Sequence, residues 1–124
     1  MKASELNNYF DNVLSLEVFF EKLRPEVSEY ISKMPKRGSS IPIYFEEDQE
    51  VNLTNIKLRK LLIEISLENY NLNTLAYICD CLTVGEKIHY TDPISTEIIF
   101  DLADNEMCAG LTIETVATIL NLLK

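Results

Sequence analysis

Apolar residues recur every three to four positions over most of the chain, and this spacing predicts amphipathic helices. Ser4 is placed to cap the first of them. The core-facing residues predicted for that helix are Leu6, Phe10, Val13, Leu14, Phe20 and Leu23. Pro25 interrupts the pattern, because proline disfavours the helical conformation at the residue before it, and a second apolar series then continues to Pro35.

Residues 41–53 depart from the helical pattern. Ile41, Ile43 and Phe45 alternate with other residues, which indicates a strand. Pro42 limits this stretch to an edge strand or a simply extended segment, because proline cannot donate a ladder hydrogen bond. The acidic run EEDQE that follows is predicted to be exposed to solvent.

A longer helix is predicted from Thr54, its cap, to about Tyr70. It carries apolar residues on two faces, which predicts burial on both sides and a central position in the fold. The residues of these faces are Leu58, Leu61, Leu62 and Ile65, and Ile56, Ile63, Leu67 and Tyr70.

Two further helices are predicted on local signals. One runs from about Leu72 to Val84 and stops at Gly85. The next has Asp92 as its N-cap and Pro93 in its first position, where proline's fixed backbone angle suits a helix start.

In the last helix Thr112 is the cap, and Leu111 with Val116 forms a hydrophobic staple. This helix is apolar almost all round, so it forms either the core or a contact surface. We expect the core, and a monomer when the protein is free. The pattern therefore predicts a mainly α fold. Residues 1–124 form one domain, a bundle of about five to six helices with a short extended or strand segment near residues 41–53.

The charge is strongly acidic and uneven. The chain carries 20 Asp and Glu against 11 Lys and Arg, a net charge of −9. From Ala76 to Leu123 the chain has eight Asp and Glu residues but only one Lys or Arg, Lys87. A field of this sign repels nucleic acid and anionic membranes and attracts basic proteins, so it indicates either solubility alone or a protein-binding surface. The candidate partner-binding residues are Asp80, Glu86, Asp92, Glu97, Asp101, Asp104, Glu46, Glu47, Asp48 and Glu50.

The N-terminal sequence and the cysteine spacing predict the same cellular compartment. The first residues lack the apolar run of a signal peptide, and no stretch reaches the length that spans a membrane. Three cysteines at these spacings give no disulfide framework. We therefore expect a cytoplasmic protein with reduced thiols.

The stretch YICDCL resembles a metal or redox site at first reading. On a helix Cys79 and Cys81 point about 200° apart, so they cannot easily hold one metal ion, and Cys79 falls on the buried face while Asp80 turns towards solvent. Cys108 has no basic neighbour in the sequence that would activate it. His89 lies in a predicted connection, without the spacing of a metal site.

Glu97, Asp101 and Asp104 are spaced to line one stripe of a helix. The stripe is a solvated face, a protein-binding surface, a pair of catalytic carboxylates or a site for a hard metal ion. The sequence has no phosphate-binding glycine loop, nucleophile elbow or zinc-protease helix. We therefore expect a protein that is not an enzyme, holds no metal or cofactor and does not bind nucleic acid directly.

Three segments in the second half of the chain carry a family resemblance. They read LAYICDCLTVGEKI at residues 75–88, ISTEIIFDLAD at 94–104 and LTIETVATILNLL at 111–123. They resemble small helical immunity proteins of bacterial contact-dependent growth inhibition and related polymorphic toxin systems. In similar proteins one helix reads roughly aliphatic-x-Tyr-Ile-x-Asp-x-Leu. The matching residues here are Leu75, Tyr77, Ile78, Asp80 and Leu82.

The resemblance implies inhibition by occlusion. Such a protein binds the C-terminal domain of its cognate toxin in the cytoplasm of the producing cell and blocks its active or substrate-binding site. A toxin that acts on nucleic acid presents a basic surface, for which an acidic inhibitor competes. The alternative is a small acidic helical regulator or adaptor, including a nucleic-acid mimic, that binds another basic protein.

Overall fold

This computed structural model describes residues 1–33, 43–68, 72–103 and 113–123. Six helices and two short strands lie within these ranges. In chain order they are α1 Ala3–Phe10, α2 Leu16–Lys33, β1 Val51–Leu53, α3 Asn55–Glu68, α4 Leu72–Val84, β2 Ile88–Tyr90, α5 Pro93–Ala103 and α6 Ile113–Leu122. The prediction of a mainly α fold of about five to six helices, with a short strand near residues 41–53, is confirmed.

The N-terminal region folds as two helices that break at a place the sequence pattern did not indicate. Asn12 adopts a left-handed backbone conformation with φ of 63°, which asparagine tolerates better than most residues. Ser15 then caps α2, since its Oγ accepts the Val18 N–H at 3.2 Å. The predicted Ser4 cap is wrong, because Lys2 is the N-cap of α1 and makes no side-chain cap bond.

Pro25 does not interrupt the second helix, so the break predicted there is wrong. It lies inside α2 with its side chain exposed. The buried residues of α2 follow helical spacing on both sides of it. They are Leu16, Phe19, Leu23, Val27 and Tyr30. Packing of this continuous stripe offsets the hydrogen bond that proline cannot make.

The two strands pair in parallel, with Val51 opposite Ile88 and Leu53 opposite Tyr90. Each strand leads into a helix that is capped as predicted. Thr54 Oγ1 accepts the Lys57 N–H at 3.2 Å at the start of α3, and Asp92 begins α5 in the same way. The start of both helices therefore lies at the carboxyl end of the two-stranded sheet.

The sequence pattern predicted the positions of the strands only in part. Residues 43–45 are not a strand, and Ile41 and Pro42 lie outside the described residues. The backbone of Glu46 instead bridges Lys2 in parallel. β2 was predicted as a connection, because three residues without clear alternation carry no strand signal.

Helix α4, not α3, is the most enclosed element among the described helices. Its side chains from Leu75 to Leu82 are at most 1% exposed, apart from the half-buried Asp80. The prediction that α3 is buried on both sides is wrong, because Ile56 and Leu67 are 81% and 77% exposed. The core-facing side of α3 is Leu58, Leu61, Leu62 and Ile65.

Helix α6 packs one face against α3. Val116 is buried on that side, whereas Leu122 is 59% exposed. The expected core position therefore holds for one face of this helix. Thr112 and Leu111, the predicted cap and staple, lie outside the described residues. None of the helices within the described ranges combines the length and apolarity needed to cross a lipid bilayer.

The two sides of α3 give a matched test of this packing. We expect Leu61→Ala to lower the free energy of unfolding by about 2–5 kcal/mol, because it leaves a cavity in the core. Leu67→Ala, the same change on the exposed side, should alter it by less than about 0.5 kcal/mol. Urea unfolding measures both. Equal losses from the two variants would show that α3 is buried on both sides after all.

Candidate functional site

The acidic run at residues 46–50 is largely committed to contacts within the fold. The Asp48 carboxylate accepts the Ser4 backbone N–H at 2.8 Å and the Ser4 hydroxyl at 2.6 Å. These bonds, the hydroxyl first, hold the pKa of Asp48 below its ordinary value. Glu47 accepts the backbone N–H groups of Glu86 and Lys87 at 2.7 and 2.6 Å. The run thus ties the start of α1 to the turn between α4 and β2.

Gly85 permits this close approach. A Cβ atom built on it would lie 2.8 Å from the Ile88 side chain and 2.9 Å from the Phe45 ring. The predicted stop of α4 at Gly85 is confirmed, since the helix ends at Val84. Glycine is required at this position because a side chain would collide with Ile88 and Phe45. Among the other acids here, Glu46 faces Lys2 at 3.9 Å and Glu50 faces His89 at 3.7 Å, all at the surface.

Asp80 is not turned to solvent as the sequence predicted. It is half-buried, and its Oδ2 accepts the hydroxyl of the buried Tyr30 at 2.5 Å. The Tyr30 ring packs edge-on against Tyr77, with 5.3 Å between ring centroids. Burial raises the pKa of Asp80 above its ordinary value, and the Tyr30 hydrogen bond partly opposes this. Asp80 therefore links α2 to α4.

The thiols of α4 are core groups, as predicted. Cys79 and Cys81 are fully buried. Burial raises the pKa of Cys81 to about 12, which suppresses the reactive thiolate. Within the described ranges the His, Cys, Asp and Glu side chains form no group of three that would hold a metal ion. His89 is exposed on β2, and Cys108 lies outside the described residues.

Helix α5 presents two of the predicted acids to solvent. Each residue of a helix advances about 100°, so five exposed residues fall within an arc of about 120°. These five residues form what we term the outer face of α5: Pro93, Ile94, Glu97, Phe100 and Asp101. Glu97 and Asp101 make no ion pair within the part of the chain that the structure describes. Asp104, predicted to continue the stripe, lies outside that part.

The outer face of α5 also carries apolar surface that the charge pattern did not indicate. Phe100 is 53% exposed and lies at one edge of this arc, about 60° from Glu97, and Ile94 is 41% exposed. Sequence reasoning passed over Phe100 because it considered only charged side chains. The signal was present, since Phe100 is three residues after Glu97 and therefore neighbours it on the helix surface. An exposed aromatic ring beside a carboxylate that makes no ion pair with the described residues is an arrangement suited to binding.

A depression of about 490 Å³ opens where β2 meets the outer face of α5. We term it the β2–α5 depression. Its lining is Tyr90, Thr91, Asp92, Pro93, Thr96, Glu97 and Phe100. It brings together Asp92 and Glu97, two of the predicted acids, with two aromatic rings. Glu86, another predicted acid, is exposed in the turn before β2 but does not line it.

The walls of the β2–α5 depression are fixed by hydrogen bonds. Asp92 accepts the Ile94 N–H at 2.9 Å and the Asn55 side-chain N–H at 3.0 Å. Asn55 also accepts the hydroxyl of the buried Ser95. The Tyr90 hydroxyl donates to the Leu82 carbonyl at 3.3 Å. The starts of α3 and α5 are thereby locked together, and both walls are positioned before any partner binds.

A second depression, of about 460 Å³, lies along α2 beside the start of α4. Its lining includes Glu17, Phe20, Arg24 and Thr74. The Arg24 side chain there pairs with Glu21 at 2.8 Å. Charge of both signs is therefore present and partly neutralised, so this depression has less electrostatic character than the β2–α5 depression.

Comparison with known proteins finds no matching family model, no similar curated protein and no similar solved structure. The geometry of the described residues therefore carries the functional proposal. That geometry separates acids with internal partners, such as Glu47, Asp48 and Asp80, from Glu97 and Asp101 on the outer face of α5.

The burial of Asp80 predicts a distinct dependence of stability on pH. Its pKa is higher in the folded protein than in the unfolded chain, so stability falls as pH rises through the window between the two values. Asp80→Asn still accepts the Tyr30 hydroxyl and escapes this loss. We expect the free energy of unfolding of the variant, relative to the parent, to rise from about pH 4 upwards and to level off once the pH exceeds the raised pKa of Asp80.

Urea unfolding at a series of pH values measures this difference. Asp101→Asn is the control, since Asp101 is exposed on α5 and should show no comparable trend. A difference between Asp80→Asn and the parent that stays constant or falls with rising pH would contradict the structural role of Asp80.

Proposed function

We propose that this chain is an immunity protein. It binds the cognate toxin domain in the cytoplasm of the producing cell and neutralises it by covering its active or substrate-binding site. The observation that carries the proposal is the outer face of α5, where an exposed aromatic ring lies on the same side of the helix as two carboxylates that make no ion pair with the described residues. The role requires binding alone, and no catalytic group takes part in it.

Electrostatics supports a basic partner. The net charge of −9 sets the sign of the long-range field. Internal contacts partly use the acids of residues 46–50, so Glu97 and Asp101 contribute to that field with less local compensation. A toxin domain that acts on nucleic acid carries a basic surface, and complementary charge speeds the encounter of two such proteins.

The composition of the outer face of α5 supports a stable contact after that encounter. Interfaces concentrate their binding energy in a few side chains, with aromatic residues enriched among them. Phe100 supplies such a side chain, and Ile94 extends the apolar area beside it. The surrounding acids then form a polar rim, which sets specificity more than affinity.

The rigidity of α5 supports inhibition at low entropic cost. Its start is fixed to α3 through Asp92 and Asn55, and its inner side packs into the core through Ile98, Ile99 and Leu102. A surface that is already ordered loses little conformational freedom on binding. The same surface would serve an acidic regulator or adaptor, so the identity of the partner decides between the two functions.

Co-expression with the product of the gene immediately upstream tests the proposal. We expect the intact chain to restore growth and to bind that protein, with an association rate that falls as salt rises. The double variant Glu97→Lys, Asp101→Lys should slow association about tenfold at low salt and flatten its salt dependence. Surface plasmon resonance measures both.

Asp11→Lys, Glu17→Lys is the matched control, because it changes the net charge equally at exposed sites outside α5. It should slow association much less than the α5 variant. Failure to restore growth together with failure to bind would contradict the proposed immunity function. Equal slowing by both variants would show that the overall charge, and not the outer face of α5, steers the partner.

A further inference from the structure

The β2–α5 depression combines two chemistries that both attract a cation. Tyr90 and Phe100 present aromatic rings, whose faces attract positive charge. Asp92 and Glu97 present carboxylates in the same depression. The rings favour a flat, weakly hydrated cation that can stack, and the carboxylates favour one that donates several hydrogen bonds.

We propose that the β2–α5 depression receives an arginine side chain of the partner protein. This inference rests on the proposed function and adds to it the residue type that the toxin domain must present. The guanidinium group is planar, always charged and carries five N–H donors in a fixed geometry. It stacks on the Phe100 ring while it donates to the Glu97 carboxylate.

The two carboxylates of the depression contribute differently to the binding of a cation. Asp92 already accepts one N–H from Ile94 and one from Asn55, so it contributes mainly its charge. Glu97 has no such partner among the described residues and contributes both charge and hydrogen-bond acceptors. Glu97 is therefore the principal binding residue, and Phe100 is the stacking surface.

The start of α5 opposes this ligand only weakly. A helix N-terminus carries about half a positive charge and by itself favours anions. The Asp92 cap occupies an exposed amide of that terminus, and its full negative charge outweighs the helix dipole. With Glu97 added, the depression carries a net negative charge, so a phosphate or other anion is the ligand that it should reject.

Lysine is a poorer fit than arginine for physical reasons. Its ammonium group is compact and strongly hydrated, and it cannot form two parallel bonds to one carboxylate. The two aromatic rings that line the depression, those of Tyr90 and Phe100, also suit a flat group that can stack. The depression should therefore discriminate between the two basic side chains.

A titration of the free protein with short capped peptides tests the proposal without the toxin. The probes are Ac-Gly-Arg-Gly-NH₂, its lysine counterpart and its citrulline counterpart, which has the shape of arginine without the charge. Amide chemical shifts of the ¹⁵N-labelled protein report binding. We expect the arginine peptide to shift signals of Thr91, Thr96 and Glu97, with weaker binding of lysine and weakest binding of citrulline.

Variants locate the site. Glu97→Gln should weaken arginine binding about tenfold, because it removes the charged hydrogen bond. Phe100→Ala should weaken it about two- to fivefold, as expected for an exposed cation–π contact. Glu114→Gln is the matched control, since it is the same change at an exposed acid of another helix that does not line the depression. It should leave binding nearly unchanged.

Three results would overturn the proposal. The first is equal binding of the citrulline and arginine peptides, and the second is an equal loss from Glu114→Gln and Glu97→Gln. The third is binding of inorganic phosphate at the same residues. The titration uses only the free protein, so the two experiments can fail independently. A failed titration would contradict the arginine site but not the immunity function. A failed growth rescue would contradict the immunity function but not the arginine site.

Discussion

The enclosure of α4 by the rest of the protein is the constraint on which the other described elements depend. A helix buried on nearly all sides must find partners for its polar groups, since an unmade hydrogen bond in the core is costly. The Tyr77 hydroxyl accepts the Tyr44 N–H at 3.0 Å, and Asp80 accepts the Tyr30 hydroxyl. These contacts bind α2 and the segment after residue 42 to α4. That segment then carries Glu47, which holds the turn leading into β2 and so sets the position of α5.

This dependence explains why the acids of one chain have different roles. Glu47 and Asp48 are charged groups, but their oxygens already accept hydrogen bonds from other parts of the fold. Asp80 completes the contact between two helices. Glu97 and Asp101 lie on the outer side of a helix whose inner side is in the core, so they are free to act at the surface. Under the proposed function, the net charge favours a basic partner, and the fold leaves Glu97 and Asp101 at the surface to meet it.

Local signals in the sequence predicted the elements well where the cause of the structure is itself local. Thr54 and Asp92 mark helix starts through their own side-chain caps, and each was identified. Gly85 was also identified as the stop of α4, although the side chain that packs closest to it from outside this region is the distant Phe45. The helix through Pro25 and the pairing of β1 with β2 depend on packing between distant segments, which no local pattern contains. The same holds for Asp48, whose partner Ser4 is 44 residues away. At the candidate site the acids were predicted, and helical spacing alone places Phe100 beside Glu97, whereas its exposure required the three-dimensional arrangement.

Carboxylate labelling with a carbodiimide, followed by mass spectrometry, tests the central claim most directly. It measures the reactivity of each acid in the free protein and in the complex with the toxin domain. Glu97 and Asp101 should react readily in the free protein and become protected in the complex. Glu47, held by two N–H groups, should react slowly in both states. A complex in which Glu97 and Asp101 react as fast as in the free protein would contradict the assignment of the outer face of α5 as the binding surface.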